Sequence, residues 1–495
     1  MPLGPTIGDY EPVLPSRARR ETDLHAQAET WPASDKFNSF DDPVRKASAP
    51  TDDEAATVWA TSADWIRRKG HSITFCALFL FTVVLYLRPY ELVPALSSFT
   101  SMAFYIGIIT LAIFAISQLI IEGNLTTRTR EVNLVLLLGL AALLSIPLAV
   151  NPGEAWTTFN DLLIKTLLIF IVIVNVVRTE RRLYMLIWLA LGVSVYLSIN
   201  AIQDYRAGVF AVGTLENQTL RIGGRIKGLF DNPNDMALHL ITMAPIAVGL
   251  ALAKRGVLRK IVYIGAALLM VGAIVVSFSR GGFIALVAVS FFLVWKLGRK
   301  QRVLSMAGFV LAAVIFFGAA PGSYAGRLST IFDTASDITG SASQRNQVLK
   351  RSIFVTLRYP LTGVGIGNFH YKSFQELGTH NAYTQVGSEM GVPAMIVYIM
   401  FLIYPYKRLK EIQKATDGKE KERTYYYLAL GLQAGLIGYM VASFFAAVAY
   451  QWYIYYLVGY AIALRRIYLA RLAPEEQHVY SSQIADVSRS VRSGM

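Results

Sequence analysis

Residues 260–297 read KIVYIGAALLMVGAIVVSFSRGGFIALVAVSFFLVWKL: two apolar runs, 260–277 and 281–297, separated only by the turn around Ser279-Arg280. Each run approaches the ~20 residues that an α-helix needs to cross the ~30 Å hydrocarbon core of a bilayer. Working outward, comparable runs lie at 73–90, 98–121, 132–150, 162–177, 183–204, 234–253, 303–320, 383–405, 425–447 and 449–468. The 495-residue chain is 54% hydrophobic and only 16% charged, and its mean hydropathy of +0.43 is too high for a soluble globule of this size. The expectation is an all-α polytopic membrane protein with about twelve transmembrane helices.

The loops give it a direction. With the N-terminus inside, the inner loops hold Arg128 and Arg130; Arg178, Arg181 and Arg182; Lys254, Arg255, Arg259 and Lys260; Lys296, Arg299, Lys300 and Arg302; and a basic stretch from Lys407 to Arg423. The outer connections 89–97, 151–161 and 448–451 contain no Lys or Arg, as the positive-inside rule requires. The net charge of +14 is therefore read as membrane orientation, and nucleic acid is not an expected partner. The expected organisation is a disordered cytoplasmic tail over 1–54 and a juxtamembrane amphipathic segment over 55–72. The latter carries Trp59, Trp65, Arg67, Arg68 and Lys69. Helices one to nine follow over 73–320, then a large outer loop over 321–382 between helices nine and ten, helices ten to twelve over 383–470, and a cytoplasmic tail over 471–495. No secretory signal is read at the start of the chain.

The single cysteine, Cys76, excludes a disulfide framework or a multi-cysteine metal site within one chain. There is no internal repeat, no G-x-x-x-x-G-K-[ST] phosphate loop and no His-Glu-x-x-His. ATP hydrolysis and zinc-protease chemistry thus have no support.

Apart from Arg88 and Lys165 near helix ends, outer cations cluster in three places. The first is Arg206 to Lys227, which runs into Arg225-Ile-Lys227-Gly-Leu-Phe-Asp231-Asn232-Pro233-Asn234-Asp235, where Asn232 or Asn234 caps a helix whose free N–H groups point outward. The second is the turn itself, where Ser279 caps a helix and Arg280 stands beside its positive end, a mismatch that an intervening phosphate would relieve. The third is the long insertion. Residues 341–357 have apolar positions at helical spacing, fitting an amphipathic helix whose polar face presents Arg345 with a guanidinium suited to bidentate phosphate contact. Gly363-Val-Gly365-Ile-Gly367-Asn368 lacks the strand–turn–helix setting of a nucleotide motif and reads as a close-packed turn. His380-Asn381 then opens helix ten, with Glu389 and Gly391 two turns further in; an imidazole there can take a proton from a hydroxyl as general base. The carboxylates Asp231, Asp235 and Glu389 leave a divalent ion open on spacing alone.

Taken in order, these motifs resemble the O-antigen ligase and O-antigen polymerase superfamily of multi-helix inner-membrane glycosyltransferases. The resemblance runs over about 221–405 and rests on Arg225 with Gly228-Leu-Phe-Asp-Asn-Pro-Asn234, Ser279-Arg280-Gly281-Gly282, Arg345, Gly363 to Asn368, and His380-Asn381 with Glu389-Met-Gly391. It implies transfer of a sugar chain from an undecaprenyl-diphosphate carrier to an acceptor hydroxyl on the periplasmic side, with no cofactor, nucleotide sugar or required metal. Arg280 and Arg345 would hold the diphosphate and His380 would activate the acceptor. Arg225, Lys227, Asn234, Ser279, Asn381 and Glu389 would make up the substrate-binding surroundings. Expected partners are the lipid-linked glycan donor, a glycan or lipid acceptor, membrane lipids and other polysaccharide-assembly proteins. The readings in view are polymerase, ligase to lipid A core, protein O-glycosylation, and an anion transporter of the bicarbonate kind. The last is opposed by the lack of two similar halves and by candidate residues lying outside the mid-membrane.

Overall fold

The computed structural model describes residues 71–92, 96, 98–99, 101–210, 221–226, 229–298, 303, 306 and 341–493. The N-terminal tail, most of the juxtamembrane segment, nearly all of the ninth apolar run, residues 307–340 and Lys227 lie outside the described residues. Among the described residues the chain is helical and contains no β-strand. The helices are α1 Ser72–Leu87, α2 Met102–Glu122, α3 Arg130–Ser145, α4 Pro152–Val176, α5 Glu180–Ala207, α6 Pro233–Ala253, α7 Val257–Val276, α8 Arg280–Leu297, α9 Ser341–Arg358, α10 Ala382–Thr416, α11 Arg423–Ala442 and α12 Trp452–Ser493. Eight helical segments among the described residues are long and apolar enough to cross a membrane. They are all or most of α2, α4 to α8 and α10, and α11 with its flanking turns. At 16 residues each, α1 and α3 reach only about 24 Å at 1.5 Å per residue.

The centre of the bundle is α6, with 89% of its apolar window buried, whereas α2, α7 and α8 bury 22% of theirs and lie at its edge. α6 packs antiparallel to α11 at unusually close range. A Cβ on Gly431 or Gly435 would stand 2.8 Å from the Pro245 carbonyl oxygen or 2.6 Å from that of Thr242. Small residues four apart let two backbones approach where no hydrophobic effect drives helices together in lipid.

The two ends of the bundle differ chemically. At one end, arginines sit on a carboxylate and on the last carbonyls of helices. Arg178 pairs with Glu122 at 2.6 Å, Arg182 donates to the Val176 carbonyl at 2.9 Å, Arg423 to Leu252 at 2.9 Å, and Arg466 to Val174. A cation at a helix C-terminus answers both the unpaired carbonyls and the negative end of the helix dipole. At the other end lie the first turns of α6, α8 and α10 and the docked segment 359–381; this is called the loop-bearing end below.

Candidate active site at the loop-bearing end

The starts of α6 and α8 are joined by one amide. Asn232 caps α6, its Oδ1 accepting from the Asn234 N–H at 2.9 Å, with Pro233 in the first turn. The Asn234 side chain is therefore not needed as a cap and bridges to the neighbouring elements instead. Its Oδ1 accepts from Arg221 Nη2 at 2.6 Å and from Ser279 Oγ at 2.9 Å. Ser279 in turn caps α8 by accepting from the Gly282 N–H at 3.2 Å. The next two positions are packed tight, since a Cβ on Gly281 would meet Phe445 at 2.8 Å and one on Gly282 would meet Ala237 at 2.8 Å. Arg280 is thus carried, half-buried, at the first position of a helix whose backbone is fixed on both sides.

Arg225 lies nearby but is already paired. It makes a two-pronged contact with Asp204, in the last turn of α5, at 3.2 and 2.5 Å, and that contact raises its pKa further. Neither Asp204 nor Arg221 stands out in the sequence.

α9 docks on the first half of α10. Val348 and Val355 are buried with Val364 and Phe369, and Ser352 Oγ donates to Thr384 Oγ1 at 2.9 Å. The buried positions 348, 352, 355 and 356 form one stripe, and Arg345 stands one turn before it, half-buried. The amphipathic helix is as expected, but Arg345 borders the docked stripe rather than lying on the solvent face. A second set of apolar residues, Ile353, Phe354 and Leu357, remains exposed.

Asn381 caps α10, accepting from the N–H groups of Tyr383 at 2.9 Å and Thr384 at 3.0 Å. His380 precedes it in the left-handed region at φ 50, as Phe278 at φ 52 precedes the start of α8. Such backbone is uncommon for non-glycine residues and concentrates at functional sites. His380 keeps an edge open to solvent. Burial of the rest of the ring, and then the charge of Arg345, hold its pKa below the usual 6.5. The Tyr383 hydroxyl donates to the Met440 carbonyl at 2.8 Å. The start of α10, like that of α8 through Phe445, is therefore seated on the same end of α11. Arg280 and His380 border one helix terminus, with Arg345 in electrostatic reach of His380.

The glycine-rich segment closes a break in a membrane helix. Gly391 at φ 89, ψ 171 interrupts α10, and the backbone groups this frees are taken by the loop. Val364 N–H donates to Ser388 O at 2.9 Å, Gly365 N–H to Glu389 O at 2.9 Å, and Val392 N–H to Pro360 O at 2.7 Å. Gly363, at φ 67, lies so close that a Cβ would collide with the Glu389 carbonyl carbon. Glu389 is only 5% exposed. Its Oε2 accepts from the Gly367 N–H at 2.9 Å and from the Tyr450 hydroxyl at 2.8 Å. The far side of the loop is held by Asn368, whose Oδ1 accepts from the Asn151 N–H at 2.6 Å.

Glu389 thus acts as a latch between α10, the loop and the α11–α12 connection. Glu389→Leu leaves the buried Tyr450 hydroxyl unpaired, a loss of about 1–3 kcal/mol, and frees the part-buried Gly367 N–H. The expected result is faster proteolytic cleavage within 359–381 of the purified protein, and cleavage at the wild-type rate would refute the latch. Among the described residues no group of three or more His, Cys, Asp or Glu side chains is placed to hold a metal ion.

Fold and site together describe a helical membrane protein that gathers helix N-termini, arginines and His380 at a single end. Residues 265–399 match the family model for O-antigen ligase, and on that match the chain carries a domain of the O-antigen ligase and polymerase superfamily. The matched segment contains Arg280, Arg345, His380, Asn381 and Glu389 and stops short of Arg225 and Asn234. No curated protein matches the chain.

Proposed function

We propose that this protein transfers a glycan from undecaprenyl diphosphate to an acceptor hydroxyl on the periplasmic side of the bacterial inner membrane, in the manner of an O-antigen polymerase. The observation that supports the reading is the seating of the α8 and α10 starts on one end of α11, with Arg280 at the first position of α8, His380 just before α10 and Arg345 in electrostatic reach of His380, all within the matched segment. In the reaction His380 removes the proton of the acceptor hydroxyl. The acceptor oxygen forms the new bond to the anomeric carbon while the bond from that carbon to the phosphate oxygen breaks. The electron pair leaves with undecaprenyl diphosphate. Negative charge grows on the diphosphate as this happens, so guanidinium groups and helix N-termini aimed at it stabilise the transition state more than the ground state. The opposite end, with its arginines on helix C-termini, then faces the cytoplasm together with both chain termini.

A strain lacking the protein tests the assignment. Loss of long chains with single repeats still attached supports the polymerase. Carrier-bound chains missing from lipid A core identify a ligase, and a missing protein glycan identifies an O-glycosylating enzyme. Unchanged surface, lipid-linked and protein glycans would refute glycan transfer altogether. Transfer by purified protein is expected to survive a strong chelator.

A further inference from the structure

One buried histidine takes no part in the site just described. His239, on α6, is fully buried, and its Nε2 lies 3.1 Å from Ser194 Oγ. The Ser194 hydroxyl already donates its proton to the Ala190 carbonyl at 2.7 Å. With the Ser194 proton on that carbonyl, the ring donates from Nε2 to Ser194 and Nδ1 is left as a bare lone pair. That Nδ1 has no partner, and neither do Trp452 Nε1 and the Tyr453 hydroxyl, all three with under 1 Å² of exposed surface. Their rings form one cluster: His239 is 4.7 Å from Phe230, 5.8 Å from Tyr86 and 6.4 Å from Tyr453. Trp452 is 4.3 Å from Tyr86 and 5.9 Å from Tyr453. Buried polar atoms are almost always paired with protein or ordered water, and each one left alone is worth about 1–3 kcal/mol, so these three, with the Tyr86 hydroxyl unpartnered beside them, point to a further partner.

The chemistry of the set selects that partner. An imidazole lone pair needs a donor, an indole N–H needs an acceptor, and a phenol accepts either. An anion would satisfy the indole and oppose the lone pair; a cation would do the reverse. A small neutral group that both donates and accepts serves all three, and a hydroxyl is the smallest group that does so from one atom. We infer that His239, Trp452 and Tyr453 form a hydroxyl-binding pocket beneath the loop-bearing end, taking water or a sugar hydroxyl. Asp235 stands four residues before His239, on the same face of α6 and one turn nearer that end, within electrostatic reach of Tyr453. This inference does not depend on the transfer reaction.

Radiolytic hydroxyl-radical labelling of the full-length protein in detergent, in water enriched in oxygen-18, tests it, because radicals formed from bound water mark residues that bulk solvent does not reach. Trp452 and Tyr453 are expected to take up label. Tyr398 and Tyr439 are fully buried and hydrogen-bonded to each other at 2.7 Å, and they serve as unlabelled internal controls. His239→Phe is expected to abolish the label at Trp452. Label that persists on adding lipid-linked glycan extracted from the same membranes identifies water as the occupant, and label that the extract suppresses identifies a sugar hydroxyl. Wild-type protein with no more label at Trp452 and Tyr453 than at Tyr398 would overturn the pocket, and that reading needs no variant to fold.

Discussion

His380→Asn is expected to lower glycan transfer by about 10²–10⁴-fold, the usual contribution of a positioned general base. Asparagine is the informative replacement because it tolerates the left-handed backbone that position 380 adopts at φ 50. Alanine would mix a backbone penalty into the result. The dependence on pH separates base catalysis from a structural role. Burial and the nearby Arg345 charge both hold the His380 pKa below 6.5, so the ring is neutral and competent at pH 7. Activity should fall only as pH drops through that lowered value. Removing the cation makes protonation easier, so Arg345→Gln raises the pKa and moves the acid limb of the rate profile to higher pH. On the proposed mechanism it also reduces the maximal rate, because one cation facing the leaving group is lost. An unmoved acid limb in Arg345→Gln would show that His380 is not the group titrating, whatever happens to the rate.

The membrane helices were legible because an apolar run of bilayer length is a signal that needs no knowledge of neighbours. Of the twelve runs, eleven coincide with helices, eight of which are long and apolar enough to cross a membrane, and the ninth lies almost wholly outside the described residues. The break at Gly391 was not legible. Its repair uses backbone groups of residues 360–365, which leave no pattern in side-chain chemistry, and residues 383–405 read as one continuous span. The pairing of Arg225 with Asp204 was missed for a related reason, since 21 residues separate the partners and only the return of the chain at α6 brings them together. The face of α9 was ambiguous because it carries two apolar stripes. Val348 and Val355 dock while Ile353 and Leu357 do not, and nothing in helical period decides between them. Residues 380 and 381 were found by type, but their opposite roles, an open imidazole and a buried cap, come from the backbone geometry at the start of α10.

Arg280→Ala is expected to reduce transfer about 10²–10³-fold, corresponding to the removal of one charge-stabilising donor from a transition state. The fold should survive the change. The turn into α8 is built by the Ser279 cap, by Asn234 bridging to it, and by the close seating of Gly281 on Phe445 and Gly282 on Ala237. The melting midpoint in detergent is therefore expected to stay close to wild type, in contrast to a substitution at Gly282. The loss should fall on kcat more than on KM, because the diphosphate carries its additional charge only as the bond to the sugar breaks. Arg280→Lys restores a positive charge without the planar fork and should recover only part of the rate. A lysine variant at full activity would mean that charge alone is required at the start of α8. Transfer within a few-fold of wild type in Arg280→Ala would remove the residue from the mechanism, leaving helix N-termini and Arg345 to carry the leaving group.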